Sequence, residues 1–333
     1  MQQKYWRLDQ RPQGTEFEQA LSLIEAPLPT PADNQVLIRN AYLSMDAGTR
    51  MWMTAREDAY NPPVPLGSAM PGMVLGWVEA STHDAYHHGQ LVRGFGQWGT
   101  HSLVEPEAAA LEVLDPAVRD LRDYFGAIGV NAWTALWGLT ETAAAQPGET
   151  VVISAAAGAT GVLACQIAQL LGCRVIGIAG GPAKCAWLKE TLGVADTVDY
   201  KTDDVRVTLA GLTDGVDVYF DNTGGPILEA VLDNMALHGR VAVCGLLDQY
   251  RGSGRAAGPA NYDQVLMKRL RIEGFFIPDF FDAGPRLTRR LQAWVTAGQL
   301  HTPFQMSYGI EQTLQAYRQL FEGGNLGKVL VEL

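Results

Sequence analysis

Val151–Gly161 reads "VVISAAAGATG": an apolar, β-branched run followed at once by residues that carry almost no side chain. Val151-Val152-Ile153 has the composition of a short buried strand, and "GVLACQIAQLLG" directly after it has the length and apolar spacing of a helix. The small residues therefore occupy a strand-to-helix turn from which bulk has been removed. Ala156-x-Gly158-x-x-Gly161 matches the dinucleotide fingerprint with alanine in its first place, and it stands in the strand-turn-helix context that the mechanism requires. A pyrophosphate has to reach the N–H groups of the helix start, so a Cβ at Gly158 would stand in its way, while Gly161 permits close packing of helix on strand. A tight turn with no ligand is the alternative reading.

Outward from this turn the chain alternates strand and helix: "TVVISA", "GVLACQIAQLLG", "RVIGIAG", "AKCAWLKETLG", "TVDY", "VDVYFDN", "ILEAVLDNMALHG" and "RVAVCGLL". This pattern predicts an α/β fold with a doubly wound parallel sheet and crossover helices, Gly172, Gly193 and Gly239 closing three of those helices. Upstream, from Val36 to about Glu105, short strand-like pieces separated by Pro/Gly clusters predict a β-rich unit. Beyond Glu273 come a further strand, helices over "PRLTRRLQAWVTAGQ" and "EQTLQAYRQLFEGG", and a last strand "KVLVEL". The expected division is a discontinuous β-rich domain, 1–125 and 292–333, enclosing a doubly wound domain, 126–291.

A chain of 333 residues that is 47% hydrophobic has enough apolar material for two cores. Its 36 acidic residues against 25 basic ones, a net charge of -11, oppose binding to nucleic acid or an anionic membrane, which leaves a small molecule as the expected partner. The start "MQQKYWRLDQRP" lacks the apolar core of a signal peptide, and no run approaches a membrane span, so a cytoplasmic protein is expected. Cys165, Cys173, Cys185 and Cys244 form no CxxC pair and read as packed free thiols rather than metal ligands. The adjacent histidines of "YHHGQ" read as an exposed turn, and no metal is expected.

The cofactor type is read one strand later. An NAD site places Asp or Glu at the end of its second strand for the ribose hydroxyls; between Cys173 and Lys189 this chain carries only positive charge. Gly180-Gly181 leave room there, and Lys184 is placed to meet a 2′-phosphate, which favours NADP; an ordinary solvated helix lysine is the alternative. "DVYFDNTGG" ends a strand at Asn222 and "RVAVCGLLDQY" ends the next at Cys244-Gly245 before Tyr250, so both strand ends point to one crevice.

These residues resemble the zinc-independent branch of the medium-chain dehydrogenase/reductase superfamily, specifically the NADPH-dependent alkenal and one double-bond reductases that include prostaglandin and curcumin reductases. The resemblance runs over almost the whole chain and rests on "LSMDAGTR", "GAIGVNAWTALWGL", "PGETVVISAAAGATG", "GCRVIGIAGGPAKC", "DYK", "DVYFDNTGG", "CGLLDQY" and "GGNLGKVLVEL" in family order. It implies a GroES-like β-rich domain around a Rossmann domain, a cleft between them and, by family analogy, a homodimer. It further implies that Lys184 and Tyr200 hold the 2′-phosphate, that Asn222 and Asn325 touch the cofactor, and that Tyr250 lies near the nicotinamide. The full set of expected cofactor contacts is Ala156, Gly158, Ala159, Thr160, Gly161, Gly180, Lys184, Tyr200, Asn222, Cys244, Tyr250, Phe275 and Asn325. Zinc-dependent relatives use Cys and His-Glu ligands in the catalytic domain, and this chain has no cysteine before Cys165.

Without such a Lewis acid, reduction of an activated C=C needs less polarisation than reduction of a carbonyl. Hydride transfer to the β-carbon develops charge on the carbonyl oxygen, so the site must supply orientation, a hydrogen-bond donor and a proton; Tyr250 is the expected catalytic donor, with simple lining of the cleft as its alternative. Two family tyrosines are replaced, by Gly48 and by Leu136. Met45, Met51, Trp52, Met53 and Trp98 suit an apolar substrate lining or, equally, a core, and Arg50 and Leu136 join Met45, Trp52 and Trp98 as candidate substrate contacts. An NADPH:quinone oxidoreductase, and an NADPH-binding sensor or structural protein without catalysis, are the competing functions.

Overall fold

The computed structural model describes residues 1–58, 61–250 and 257–333. The quoted turn lies where expected, between the strand Thr150–Ile153 and the helix Ala159–Leu170. That strand is third across a six-stranded sheet whose members in space are Asp196–Asp199, Arg174–Ala179, Thr150–Ile153, Val216–Asp221, Met235–Val243 and Arg271–Gly274. All neighbours are parallel. Counted along the chain the order is 3-2-1-4-5-6, so the winding reverses between the first and fourth strands, and the loops leaving them flank a crevice. Strand alternation supplies both faces: Val151 and Ile153 pack with Val162 and Leu163 of the helix Ala159–Leu170, whereas Val152 packs with Leu209 and Val231 on the opposite side.

A second, seven-stranded sheet holds the β-rich unit. Its spine runs Phe304–Tyr308, Lys328–Glu332, Val36–Ser44, Pro71–Ser81, Leu91–Gln97 and Glu112–Val113, with His101–Val104 paired onto Val36–Ser44. The last strand of the chain thus sits beside the strand that leads into "SMDAG", in register Leu330↔Ser44. An isolated bridge, Gly158↔Gly327, joins the two sheet systems at the glycine-rich turn.

Several expectations need correction. The stretch "ILEAVLDNMALHG" is not one helix: the helix is Gly225–Leu232, and Met235 already pairs with Val216 in the strand Met235–Val243. Asn234 makes the break, its side chain donating to Ala230 O and Arg206 O at 2.9 and 3.0 Å. Gly239 therefore lies inside a strand, whereas Gly172 and Gly193 do end helices, with φ of 85° and 67°. The hairpin of Gln2–Leu8 with Leu21–Pro27 and the strand Phe304–Tyr308 were not read from the sequence. The division suggested at 291/292 cuts the helix Gly284–Thr296, whose Leu287 and Leu291 pack in the core behind the glycine-rich turn.

Candidate active site

Between the two sheets lies a cavity of about 510 Å³. One end is the glycine-rich turn, where Gly158 is the N-cap of the helix Ala159–Leu170 in extended conformation. Helix geometry leaves the N–H groups of that first turn without intrahelical acceptors, and Gly158, Ala159, Thr160 and Gly161 all line the cavity. The two glycines do different work. A Cβ on Gly161 would sit 2.2 Å from Ala155 O, inside the turn, whereas one on Gly158 would meet only Ala155 O at 3.1 Å and otherwise project into open space. That open space is the cradle a pyrophosphate fits. Ala156 is turned away from it: fully buried, it donates its N–H to Ile178 O at 3.0 Å and does not line the cavity, so the expected contact there is a spacer behind the turn.

At the far end of this arm stand Gly180, Lys184 and Tyr200. A Cβ on Gly180 would lie 2.8 Å from the Tyr200 ring, so only glycine lets the phenol close over the strand end. Burial, and then the neighbouring charge of Lys201, push the Lys184 ammonium below its ordinary range. A lysine whose charged form is disfavoured in this way gains from an anion placed beside it. Asp199 nearby stays ionised: its Oδ1 accepts from Gly181 N at 2.8 Å and Lys201 N at 3.1 Å, and these backbone donors hold its carboxyl low.

The other arm is built on the loops leaving the fourth and fifth strands. Asn222 donates its N–H to Ser154 Oγ (2.9 Å) and its amide to Ser154 O (2.7 Å), which leaves the amide oxygen for a ligand. Beneath it Asp221 is completely buried; Oδ1 accepts from Thr223 N, Gly224 N and Tyr219 Oη at 2.8–2.9 Å, and burial pushes the carboxyl up. Cys244 lines the cavity, its thiol pushed up to about 12 by burial. Tyr250 Oη accepts from Leu246 N at 3.2 Å, which keeps its own proton available to donate, and burial raises the phenol so that it stays protonated at neutral pH. Phe275 and Asn325 complete this arm.

Facing Tyr250 is the segment Ser44–Thr49 with Trp52, Met73 and Phe95, a largely apolar wall in which the rings of Trp52 and Phe95 lie 6.1 Å apart. Of the candidate substrate contacts, Met45 and Trp52 are in this wall. Arg50, Trp98 and Leu136 are not. Arg50 is buried behind it, donating to Pro12 O and Gly14 O; Trp98 packs edge-on to Tyr317 at 4.8 Å; Leu136, on the helix Val130–Trp137, is turned into the core. Each has an apolar or long side chain, and the sequence alone does not say which side of the wall it takes. Asp46, Met73 and Phe95 of the wall, and Asn131 elsewhere in the lining, are among the residues that sequence reasoning missed.

Comparison with known proteins agrees with this geometry. Residues 4–112 match the family described as the N-terminal domain of oxidoreductase, and residues 159–293 match that of zinc-binding dehydrogenase. The chain is 34% identical to an NADPH-dependent curcumin reductase of Escherichia coli, over 98% of this chain and 96% of that one. It is 35% identical to a 2-alkenal reductase (NADP(+)-dependent) of Nicotiana tabacum, over 90% and 87%. The chain belongs to the double-bond reductases of the medium-chain dehydrogenase/reductase superfamily. Among solved structures, CurA from Vibrio vulnificus in complex with NADPH superposes with a TM-score of 0.92 at 32% identity, covering 99% of this chain and 98% of that one.

NADP is the cofactor of this reductase, and the cradle at Gly158, the Lys184 ammonium and the strand-end amide of Asn222 fit it. The zinc named in the second family description does not fit. Among the described residues no three His, Cys, Asp or Glu side chains gather as a metal site, Cys165 is fully buried with its thiol pushed up to about 12, and no cysteine precedes it.

Proposed function

We propose that this reductase uses NADPH to reduce the activated C=C bond of α,β-unsaturated ketones and aldehydes at the cavity between Tyr250 and the Met45–Trp52 wall. The observation that carries this reading is the continuity of the cavity: one space runs from Lys184 and Tyr200, past the Gly158 turn and Asn222, to a phenol facing an apolar wall. Bound NADPH supplies the hydride. The apolar wall orients the substrate and excludes water, and the Tyr250 hydroxyl donates to the carbonyl oxygen as negative charge develops on it. A phenol held protonated by burial is suited to donating a hydrogen bond, not to acting as a base.

NADPH consumption, followed by absorbance, is expected with simple alkenals and alkenones and to be much slower with NADH. Quinones in the same assay separate the oxidoreductase alternative, and tight NADPH binding without turnover of any acceptor would point to a sensor. Tyr250→Phe is expected to lower kcat by about 10²-fold, the equivalent of ~2–4 kcal/mol of oxyanion stabilisation, with little change in NADPH affinity. Unchanged turnover in that variant would remove Tyr250 from the role of donor.

The reading includes a cytoplasmic homodimer. Support for the location is the acidic net charge of -11 and, among the described residues, no helix long and apolar enough to cross a membrane. Support for a second copy is the exposed edge strand Arg271–Gly274, bordered by exposed Leu237, Leu266 and Met267.

A further inference from the structure

We infer that Lys328 is a positioning residue that ties the substrate-side wall of the cavity to the pyrophosphate turn, so that NADP bound on the turn steadies the wall opposite it. The inference uses NADP binding and stands apart from the identity of the substrate. Lys328 opens the last strand and is 1% exposed, one of the largest fully buried side chains in the protein. It does not line the cavity. Its ammonium donates to Asp46 Oδ1 at 2.5 Å and reaches Met45 O at 3.4 Å. An apolar side chain would fill this place in the sheet without the cost of burying a charge, so the lysine is explained by what it holds.

What it holds is the wall. Asp46 lines the cavity and organises the segment around it: Oδ2 accepts from Ser44 Oγ, and its carbonyl accepts from Thr49 N at 3.2 Å and Thr49 Oγ1 at 2.7 Å. Met45 N in turn donates to Val329 O at 3.1 Å. Ser44, Met45, Asp46 and Thr49 are thereby fixed to the first residues of the last strand.

The same strand start is fixed to the cofactor turn. Gly327 N donates to Ala157 O at 2.8 Å, inside the bridge Gly158↔Gly327. Gly327 has φ of 70°, and a Cβ there would lie 2.1 Å from Pro303 O, so the residue joining turn to lysine has little freedom. Asn325, in the cavity wall, donates to Gly327 O at 3.3 Å. A continuous path of hydrogen bonds, joined by the Gly327–Lys328 peptide bond, therefore runs Ala157, Gly327, Lys328, Asp46, Ser44, from the pyrophosphate cradle to the surface an enone would touch. An element shared by two sites transmits order from one to the other in proportion to the coupling between them.

Hydrogen exchange with and without NADP⁺ reads this directly. In the wild-type protein NADP⁺ is expected to slow amide exchange both at 157–161 and, by about fivefold or more, at 45–51. In Lys328→Met the slowing at 157–161 is retained and that at 45–51 is lost, while Leu209→Ala, a core truncation on the opposite face of the parallel sheet, keeps both. Should Lys328→Met not fold, the charge-neutral pair Lys328→Met with Asp46→Asn carries the same comparison. Persistence of the slowing at 45–51 without Lys328, or its absence in the wild type, overturns the inference. In turnover, Lys328→Met is expected to raise KM for the enone at least tenfold with KM for NADPH within about twofold. A wild-type enzyme that turns over no enone would defeat the functional reading and leave the exchange result to decide this one.

Discussion

Cys244 shows how a single side chain is set by its surroundings. It lines a cavity meant for Michael acceptors, which a thiolate attacks, yet burial, and then the nearby Asp221 charge, push its thiol up to about 12 against an ordinary 9.0. Raising the pKa by about three units lowers the thiolate fraction at neutral pH by about 10³. Iodoacetamide labelling of Cys244 at pH 7.5, followed by peptide mass spectrometry, is accordingly expected to be far slower than that of a free thiol and to rise about tenfold per pH unit up to the alkaline limit of the fold. Rapid labelling at neutral pH would mean that the thiol is not enclosed as described. The site was legible in the sequence at residues of this kind only where chemistry leaves a local mark. Gly158, Gly161, Gly180 and Lys184 were readable because a dinucleotide needs absent Cβ atoms and an absent carboxylate within a short stretch. Asp46 and Lys328 were not, since their meaning comes from each other across the fold, 282 positions apart.

The helix that opens at the glycine-rich turn makes a prediction at the scale of an element, because its two glycines separate packing from ligand approach. Gly161→Ala forces a Cβ to within 2.2 Å of Ala155 O, so helix and turn must part; overpacking of this kind costs ~1–3 kcal/mol and lowers the melting temperature of the apoprotein by several degrees. Gly158→Ala meets one atom at 3.1 Å, so the apoprotein keeps most of its stability, but the methyl enters the pyrophosphate cradle and NADPH affinity is expected to fall by at least tenfold. Thermal melts without cofactor and NADPH titration by fluorescence give both numbers; equal effects of the two variants on both measurements would show that the turn does not divide the work this way. The central strands and their helices were legible as elements, being nearly continuous apolar runs punctuated by glycine. What escaped had a weaker local pattern. "MALHG" extends an apolar helix pattern in sequence, and only pairing of Met235 with Val216 makes it strand. Phe304–Tyr308 is a partly exposed edge strand whose pairing with Lys328–Glu332 is its main justification.

At the scale of the whole molecule the six-stranded sheet ends in an edge with which no strand among the described residues pairs. Arg271–Gly274 is exposed along its length, with Ile272 at 37%, and beside it Leu237, Leu266 and Met267 are 55%, 72% and 58% exposed. Such an edge invites a further strand, and the second copy proposed above, related by a two-fold axis, is the partner to test there. Antiparallel pairing centred on Ile272 sets Arg271 of one copy across from Glu273 of the other, twice, so opposite charges flank an apolar centre; in the single chain those two residues make only a loose ion pair, at 3.7 Å. This local complementarity has to outweigh the repulsion of two chains that each carry a charge of -11, so association is expected to strengthen with salt, unlike one driven by opposite net charges. Analytical ultracentrifugation of the wild-type protein is expected to give twice the 36.1 kDa chain mass. Ile272→Lys places two like charges against each other at the axis and is expected to give the single-chain mass while leaving NADPH affinity unchanged, because Ile272 does not line the cavity. A variant that still sediments at twice the chain mass would move the interface elsewhere, and loss of NADPH binding together with the dimer would make the cofactor site depend on the pairing of the two sheets.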